Sequence, residues 1–305
     1  MKYFKLKELD NKGFSLHYLL PLIIIAIIAS IGARVIFTSH AQTPTKIPKI
    51  ILSYGPDPTQ TVQIYAQTQP NSPVVVMVHG GGWKSDVNAN MENISAEQLR
   101  NNGNVVFDVN YPSDSDTMPA FPNEIDSVVS ATNYAIANAS IYNGNATKLT
   151  LLGGSSGAQL VAMAALQLNS LNKGTVSQVI TLSGPFDFPL LIANWAATDG
   201  PIGDLHINNE MDALGCSKPS TCQVSIEDKW SPDKQVTHDN CPANWLILNE
   251  SNETMPVEQA DVMTRALKAV NCNVTETITS GTKHSFAYFH PYDNGPIIGN
   301  FLTRK

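Results

Sequence analysis

Between Ile50 and the C-terminus, short apolar runs alternate with longer segments whose apolar residues recur at helical spacing. Strands buried on both faces are expected at the β-branched or continuous runs, which are SPVVVMV, NVVFDV, KLTLL, VSQVITL and ANWLIL. Two further strands are predicted at TVQIYAQ and NVTETIT, and helices at FPNEIDSVVSATNYAIANA, from Ala158 onward and at PVEQADVMTRALKAV. The alternation predicts an α/β fold with a mostly parallel sheet and helices on both of its faces.

One segment interrupts this alternation. From Phe188 to about His238 the sequence is rich in Asn, Asp, Gly and Pro, and it contains two tryptophans and two cysteines. An insertion of this length between two strands is more typical of a cap over the carboxyl edge of the sheet than of a structureless loop. We therefore expect a cap-like insertion at about residues 188–238.

The N-terminal region has a different pattern. Four lysines precede a run from Leu19 to Ala33 that contains no charged residue. A helix that is apolar on all sides and follows basic residues is typical of an export signal or membrane anchor, with the basic end in the cytoplasm. We expect residues 1–45 to form a cytoplasmic tip, anchor and linker, and residues 46–305 to form one domain outside the cytoplasm.

Two processing sites are conceivable in this region. Ser39 and Ala41 are small residues at the −3 and −1 positions of a signal-peptidase site, so cleavage near Ala41 would release the domain; without it the helix would hold the chain at the membrane. The stretch NKGFSL also resembles the processing site of type IV prepilins, which are cut between Gly and Phe. The glutamate of that family's fifth mature position is replaced here by Tyr18.

Charge and cysteine content narrow the possible partners. Asp and Glu number 26 against 19 Lys and Arg, a formal net charge of −7, and no basic stripe is present, so nucleic acid is not an expected partner. The cysteines form no C-x-x-C pair, so neither a zinc cluster nor another metal site is expected, and export favours disulfides.

The positions of the cysteines predict their pairing. Cys241 and Cys272 each precede a strand, and neighbouring parallel strands begin at the same edge of a sheet, within the distance that a disulfide spans. Cys216 and Cys222 are close enough in sequence to close a small loop inside the insertion. We therefore predict the bridges Cys216–Cys222 and Cys241–Cys272.

Two glycine-rich turns carry the candidate chemistry. GGSSG at 153–157 joins a predicted strand to a predicted helix, which is the setting of a G-x-S-x-G nucleophile elbow with Ser155 at its point. HGGGW at 79–83 follows another buried strand, and successive glycines allow backbone N–H groups to approach a substrate oxygen. No Gly-Lys-Ser/Thr follows, which argues against a phosphate-binding loop.

Four segments in this order, HGGGW, NYPSDSDTMPAFPNEIDSVVSATNY, GGSSGAQL and GTKHSF, resemble the α/β-hydrolase fold family. Within it they are most similar to the hormone-sensitive-lipase-like and the carboxylesterase- or feruloyl-esterase-like serine hydrolases, over roughly residues 50 to 300. The resemblance implies Ser155 as nucleophile and His284 as general base. It also implies an oxyanion hole formed by the amides of Gly81, Gly82 and Ser156.

The position of His284 supports the same role independently. His284 follows the last predicted strand in a Gly-Thr-Lys-His loop, beyond the carboxyl edge of the sheet. His290 is its competitor, but it precedes a proline and does not stand at a strand end. His284 is therefore the predicted base.

The acid of the triad does not follow the family pattern. The resemblance implies an Asp four residues before a Val-Pro or similar pair, and counting back from Met255–Pro256 gives Asn252. An amide stabilises an imidazolium poorly. Glu253 is the favoured substitute, with Glu250 on the same loop and Asp187 after the preceding strand as alternatives. A Ser–His dyad or an inactive site stays open.

Two functions are compatible with these features. The first is an exported, membrane-tethered serine hydrolase that cleaves a small-molecule carboxylic ester without a cofactor or metal. The second is a catalytically weak or inactive hydrolase-fold protein that serves binding or assembly at the cell surface. Asn252 and the prepilin-like start favour the second, whereas Ser155, His284 and HGGGW favour the first.

Overall fold

A computed structural model describes residues 50–84, 92–113, 119–198, 200–289 and 295–303. The chain divides into two units, Met1–Pro48 and Lys49–Lys305, and all the described residues belong to the second. The predicted anchor, the possible cleavage site at Ala41, the prepilin-like stretch and His290 lie outside the described residues. Among the residues that are described, no helix has the length and apolar character needed to cross a membrane.

The core of the domain is one eight-stranded sheet with the order β1-β2-β4-β3-β5-β6-β7-β8. β1 and β2 pair antiparallel with each other, β2 pairs antiparallel with β4, and the remaining pairs are parallel. The strands are β1 (Ile50–Ser53), β2 (Thr61–Tyr65), β3 (Ser72–Val78), β4 (Val105–Val109), β5 (Gly144–Gly154), β6 (Gln178–Leu182), β7 (Asn244–Glu250) and β8 (Asn273–Thr279).

Helices cover both faces of this sheet. Side chains of one face of β3, such as Val76, pack in the same apolar cluster as α2, α3 and α8, whereas Met77 on the other face packs with α1 and α9. The described helices are α1 (Asn93–Asn101), α2 (Asn123–Asn138), α3 (Ser156–Leu171), α4 (Phe188–Ala196), α5 (Pro201–Leu214), α6 (Val224–Trp230), α7 (Pro232–Gln235), α8 (Val257–Ala269) and α9 (Gly295–Leu302). The predicted α/β class is therefore confirmed.

Every strand and helix that the apolar pattern predicts between Ile50 and the C-terminus is present, and outside the insertion three of the described strands and α-helices were not predicted. β1 is an edge strand whose Ile51 is 64% exposed, so it lacks the apolar alternation of a half-buried strand. α1 buries only three residues, and α9 is a short helix that begins at a Gly-Pro pair. Such segments give weak periodic signals because few of their side chains face the core.

The insertion between β6 and β7 contains α4 to α7. Cys216 and Cys222 are bridged just after α5, with their Cα atoms 5.3 Å apart. Cys241 and Cys272 are bridged immediately before β7 and β8, with Cα atoms 6.3 Å apart. These are the two predicted pairs, and the second joins neighbouring parallel strands at their common starting edge.

Candidate active site

Ser155 stands at the point of a strand–turn–helix connection between β5 and α3. Its backbone has φ 56° and ψ −129°, an unfavourable conformation for a residue with a side chain. Its amide donates a hydrogen bond of 2.8 Å to the carbonyl of Leu182, at the end of the adjacent strand β6. Backbone strain of this kind is characteristic of residues that the surrounding structure holds in place for a function.

The glycines on either side of this turn are required by close backbone approach. A Cβ atom at Gly153 would lie 2.2 Å from the carbonyl oxygen of Gly157. A Cβ atom at Gly157 would lie 2.3 Å from the carbonyl oxygen of His79. Strand, helix and the HGGGW loop therefore meet at a spacing that only glycine permits.

The HGGGW loop follows β3, the strand next to β5 in the sheet. Val78 at the end of β3 is in register with Gly153 in β5, so the loop and the elbow leave the same edge of the sheet. His79 stabilises the loop. Its Nδ1 lies 2.7 Å from the carbonyl oxygen of Gly80, and the ring of Tyr111 stacks on its imidazole. Burial lowers the pKa of His79, so this imidazole is neutral at pH 7.

The cap contacts the same loop. Trp83, the last residue of HGGGW, packs its ring against Phe188 of α4 and donates a hydrogen bond to Gln159 of α3. Lys84 forms a 2.6 Å ion pair with Asp212 of α5. These contacts fix the loop between the sheet and the inserted helices.

His284 lies in the loop after β8, and its ring pairs with Glu253. The distance between His284 Nδ1 and Glu253 Oε2 is 2.5 Å. The carboxylate is completely buried, whereas the histidine side chain is 32% exposed. A carboxylate that accepts a hydrogen bond from Nδ1–H keeps the proton on Nδ1 and leaves Nε2 unprotonated in the neutral ring, which is the tautomer that a general base needs.

Three donors fix the second oxygen of Glu253. Oε1 accepts hydrogen bonds from Ser183 Oγ at 2.9 Å, from the Glu250 amide at 3.1 Å and from the hydroxyl of Tyr288. Ser183 Oγ also accepts from the amide of Ser285, one residue after His284. The carboxylate is thus fixed from β6, β7 and the segment after the histidine at once.

The other candidate acids are engaged elsewhere. Glu250 Oε2 accepts from the amide of Lys283 at 2.7 Å, and Asn252 is exposed, with its side chain donating to Ser251. Asp187 caps the N-terminus of α4 through Oδ1 and pairs with Lys234 through Oδ2. Of the four side chains considered from the sequence, Glu253 is the one that contacts His284.

Ser183 and Tyr288 were not identified from the sequence. Ser183 follows β6 directly, so its place at the carboxyl edge was the one available signal. Its φ of 54° and its role as partner of Glu253 depend on the tertiary structure. Tyr288 lies in a 3₁₀ segment, Ser285–Phe289, two residues beyond the end of the GTKHSF stretch.

Ser155, His284 and the three glycines of HGGGW line one cavity of about 630 Å³. Ser156 begins α3, so its amide belongs to the unpaired N–H groups at a helix N-terminus, where developing negative charge is favoured. A hydroxyl, an imidazole paired with a buried carboxylate and a glycine-rich loop around one cavity are the parts of an acyl-transfer site.

Comparison with known proteins shows that the chain is similar to hydrolases. Residues 62–267 match the sequence model of the BD-FAE family. A kynurenine formamidase from Meyerozyma guilliermondii is 24% identical over 251 residues, which cover 79% of this chain and 88% of that protein.

Two solved structures share the fold. A truncated carbohydrate esterase from gut microbiota superposes with a TM-score of 0.69 at 20% identity, covering 86% of this chain and 97% of that one. A carboxyl esterase from the mycorrhizal fungus Tuber melanosporum gives a TM-score of 0.67 at 18% identity, with 86% of each chain covered.

Proposed function

Because the chain belongs to the BD-FAE family of α/β-hydrolases, we propose that it is a serine hydrolase that cleaves carboxylic esters with Ser155, His284 and Glu253 as its catalytic triad. The observation that supports this best is the 2.5 Å contact between His284 Nδ1 and a fully buried Glu253 carboxylate. It supports Glu253 in place of the aspartate that the family pattern expects at Asn252, since this carboxylate is one residue further along the same loop.

The proposed reaction has two halves. Ser155 Oγ attacks the ester carbonyl carbon while His284 Nε2 takes the hydroxyl proton, and the tetrahedral intermediate then expels the alcohol, which receives that proton. Water attacks the acyl-serine in the second half, with His284 again as the base, and releases the carboxylic acid. Glu253 stabilises the imidazolium formed in each half.

The negative charge of the tetrahedral oxygen would be stabilised by the amides of Gly81, Gly82 and Ser156. Gly81 and Gly82 have φ values of 137° and 61°, and Gly80 to Gly82 line the cavity that contains Ser155. Loss of one such donor typically costs about 3–4 kcal/mol of transition-state stabilisation.

The chemical class of substrate is proposed from the comparisons. Both structural neighbours are named as esterases, which supports an ester. The Meyerozyma protein is named for a formamidase, so an aryl formamide is a second substrate to test beside p-nitrophenyl esters. The same triad would attack either carbonyl.

We also propose that the domain works outside the cytoplasm, held by the N-terminal helix or released by cleavage near Ala41. Its two disulfides support this location, because bridges persist in oxidising compartments. Protease added to intact cells should then digest or release the domain. A domain that resists protease until the cells are lysed would contradict this location.

A fluorophosphonate probe tests the enzyme directly. The purified domain should be labelled at Ser155, and neither Ser155→Ala nor a heat-unfolded sample should react. His284→Ala should lose nearly all hydrolysis of p-nitrophenyl acetate, because members of a triad act as a unit. A folded wild-type protein that neither reacts with the probe nor hydrolyses esters would favour the binding or assembly function instead.

A further inference from the structure

Glu92 is a buried acid in the proposed catalytic cavity that takes no part in the triad. It immediately precedes α1, lines the cavity together with Ser155 and His284, and is 7% exposed. Within the part of the chain that the structure describes, its Oε2 atom has no hydrogen-bond partner. A buried polar atom without a partner destabilises the folded protein, so its presence at a substrate cavity points to a bound group that satisfies it.

The protonation state of Glu92 limits what that group can be. Burial raises the pKa of this carboxyl to about 8, so at neutral pH it is mainly a carboxylic acid that can both donate and accept a hydrogen bond. Ser95 and Gln98 follow at three-residue spacing, place neutral polar side chains on the same side of α1 and line the same cavity. Three neutral polar groups suit a neutral polar ligand.

The reaction itself disfavours a charged ligand group here. The proposed hydrolysis develops negative charge at the glycine loop and positive charge on His284, and both border the cavity. An ionised Glu92 would oppose the oxyanion, and a substrate ammonium would oppose the imidazolium. A substrate hydroxyl, which donates and accepts, satisfies a protonated carboxyl without adding charge.

Building on the proposed esterase function, we propose that Glu92 is a specificity-determining residue that hydrogen-bonds a neutral hydroxyl group of the substrate, close to the scissile ester. Other titratable groups lie in the same cavity, beside the glycine loop or on the elements that α1 packs against. They are His284 in the cavity, His79 and Tyr111 at the glycine loop, and Tyr65 and Asp108 on the strands that α1 packs against. On α1 itself the charged groups are Glu97 and Arg100.

The test compares pairs of esters that differ by one hydroxyl. One pair carries the hydroxyl on the acyl side, p-nitrophenyl butyrate against p-nitrophenyl 3-hydroxybutyrate, and the other on the alcohol side, propyl acetate against 2-hydroxypropyl acetate. The wild type should prefer the hydroxylated member of at least one pair by about tenfold in kcat/KM. Glu92→Gln should keep this preference, because an amide also donates and accepts, whereas Glu92→Met should abolish it.

Two controls separate recognition from a structural role. Glu97→Gln changes an exposed acid on the same helix and should leave the preference unchanged. The wild-type kcat/KM for the preferred ester should fall as pH rises through 8, and Glu92→Gln should remove this fall. The pH profile of the glutamine variant decides the matter if Glu92→Met does not fold.

Three results would overturn the proposal. The first is an equal preference in wild type and Glu92→Met. The second is a preference for an ammonium-bearing ester that Glu92→Gln destroys. In both, turnover of esters by the wild type would leave the proposed function standing. The third is a wild type without ester turnover or fluorophosphonate labelling, which would overturn the proposed function as well.

Discussion

Glu253→Gln is the sharpest perturbation of the proposed triad, because it changes one atom of a fully buried side chain. Oε2 of Glu253 accepts a hydrogen bond from His284 Nδ1–H, and Oε1 accepts hydrogen bonds from Ser183, Tyr288 and the Glu250 amide. A glutamine amide must point its NH₂ group at one of these two sets of donors. Either orientation places a donor against a donor.

The expected loss of kcat depends on which hydrogen bond of Glu253 the glutamine disrupts. If the NH₂ group faces His284, the ring must present an unprotonated Nδ1, and Nε2 then carries the proton and cannot act as a base. The corresponding aspartate-to-asparagine change in a serine-protease triad lowers kcat by about 10⁴. We expect a loss of about 10³- to 10⁴-fold in kcat, which corresponds to about 4–5.5 kcal/mol of transition-state stabilisation.

The assay is hydrolysis of p-nitrophenyl acetate, with thermal unfolding of each variant as a check on folding. Glu250→Gln is the matched control, because its carboxylate contacts the Lys283 amide and not His284, and a loss below about tenfold is expected. Asn252→Asp changes an exposed side chain and should leave kcat within about twofold. Retention of more than a tenth of wild-type kcat by Glu253→Gln, or a large gain from Asn252→Asp, would refute the assignment of the acid.

Three further predictions concern stability. Gly157→Ala should unfold the domain or lower its melting temperature strongly, since the added Cβ meets the His79 carbonyl at 2.3 Å, and a soluble variant of wild-type stability would contradict the tight elbow. Burial raises the pKa of Glu210 to about 8, so between the unfolded value of 4.5 and pH 8 the folded state holds more protons and its stability falls with rising pH. The free energy of unfolding of Glu210→Gln in urea, measured relative to the wild type, should therefore rise with pH across that window by up to about 1.4 kcal/mol per pH unit. A difference that does not change with pH would reject a neutral buried acid. The double variant Cys241→Ser/Cys272→Ser should lose about 3–4 kcal/mol of its free energy of unfolding, because the bridge closes a loop with a sequence separation of 31. An unchanged denaturant midpoint would contradict this.

The sequence by itself determined the central strands, the main helices between them and the candidate chemical groups of the site. β-Branched runs bury on both faces and cannot be stable as exposed segments, so they identify the central strands. Ser155 was identifiable because its glycine-flanked turn joins a predicted strand to a predicted helix, which is the setting of a nucleophile elbow. His284 and the HGGGW loop were identifiable because they follow strands, and parallel strands end at a common edge.

The tertiary structure alone decided which side chains meet at that edge. Counting from Met255–Pro256 indicated Asn252, yet the turn after β7 exposes Asn252 and buries Glu253 against His284. The choice depends on Ser183 from β6 and Tyr288 from the segment after β8, which are distant in sequence and together supply donors to one carboxylate oxygen. Spacing along one loop carries no information about such donors.

The unpaired carboxyl of Glu92 was likewise invisible in the sequence. Its neighbours in the cavity include residues of the loops that follow β3, β5 and β8, and burial raises its pKa to about 8. Local patterns fix local conformation because they depend on neighbours along the chain. The environment of a charge is set by groups that folding brings together from several strands, so only the tertiary structure determines whether an acid is a triad member, a helix cap or a buried neutral group.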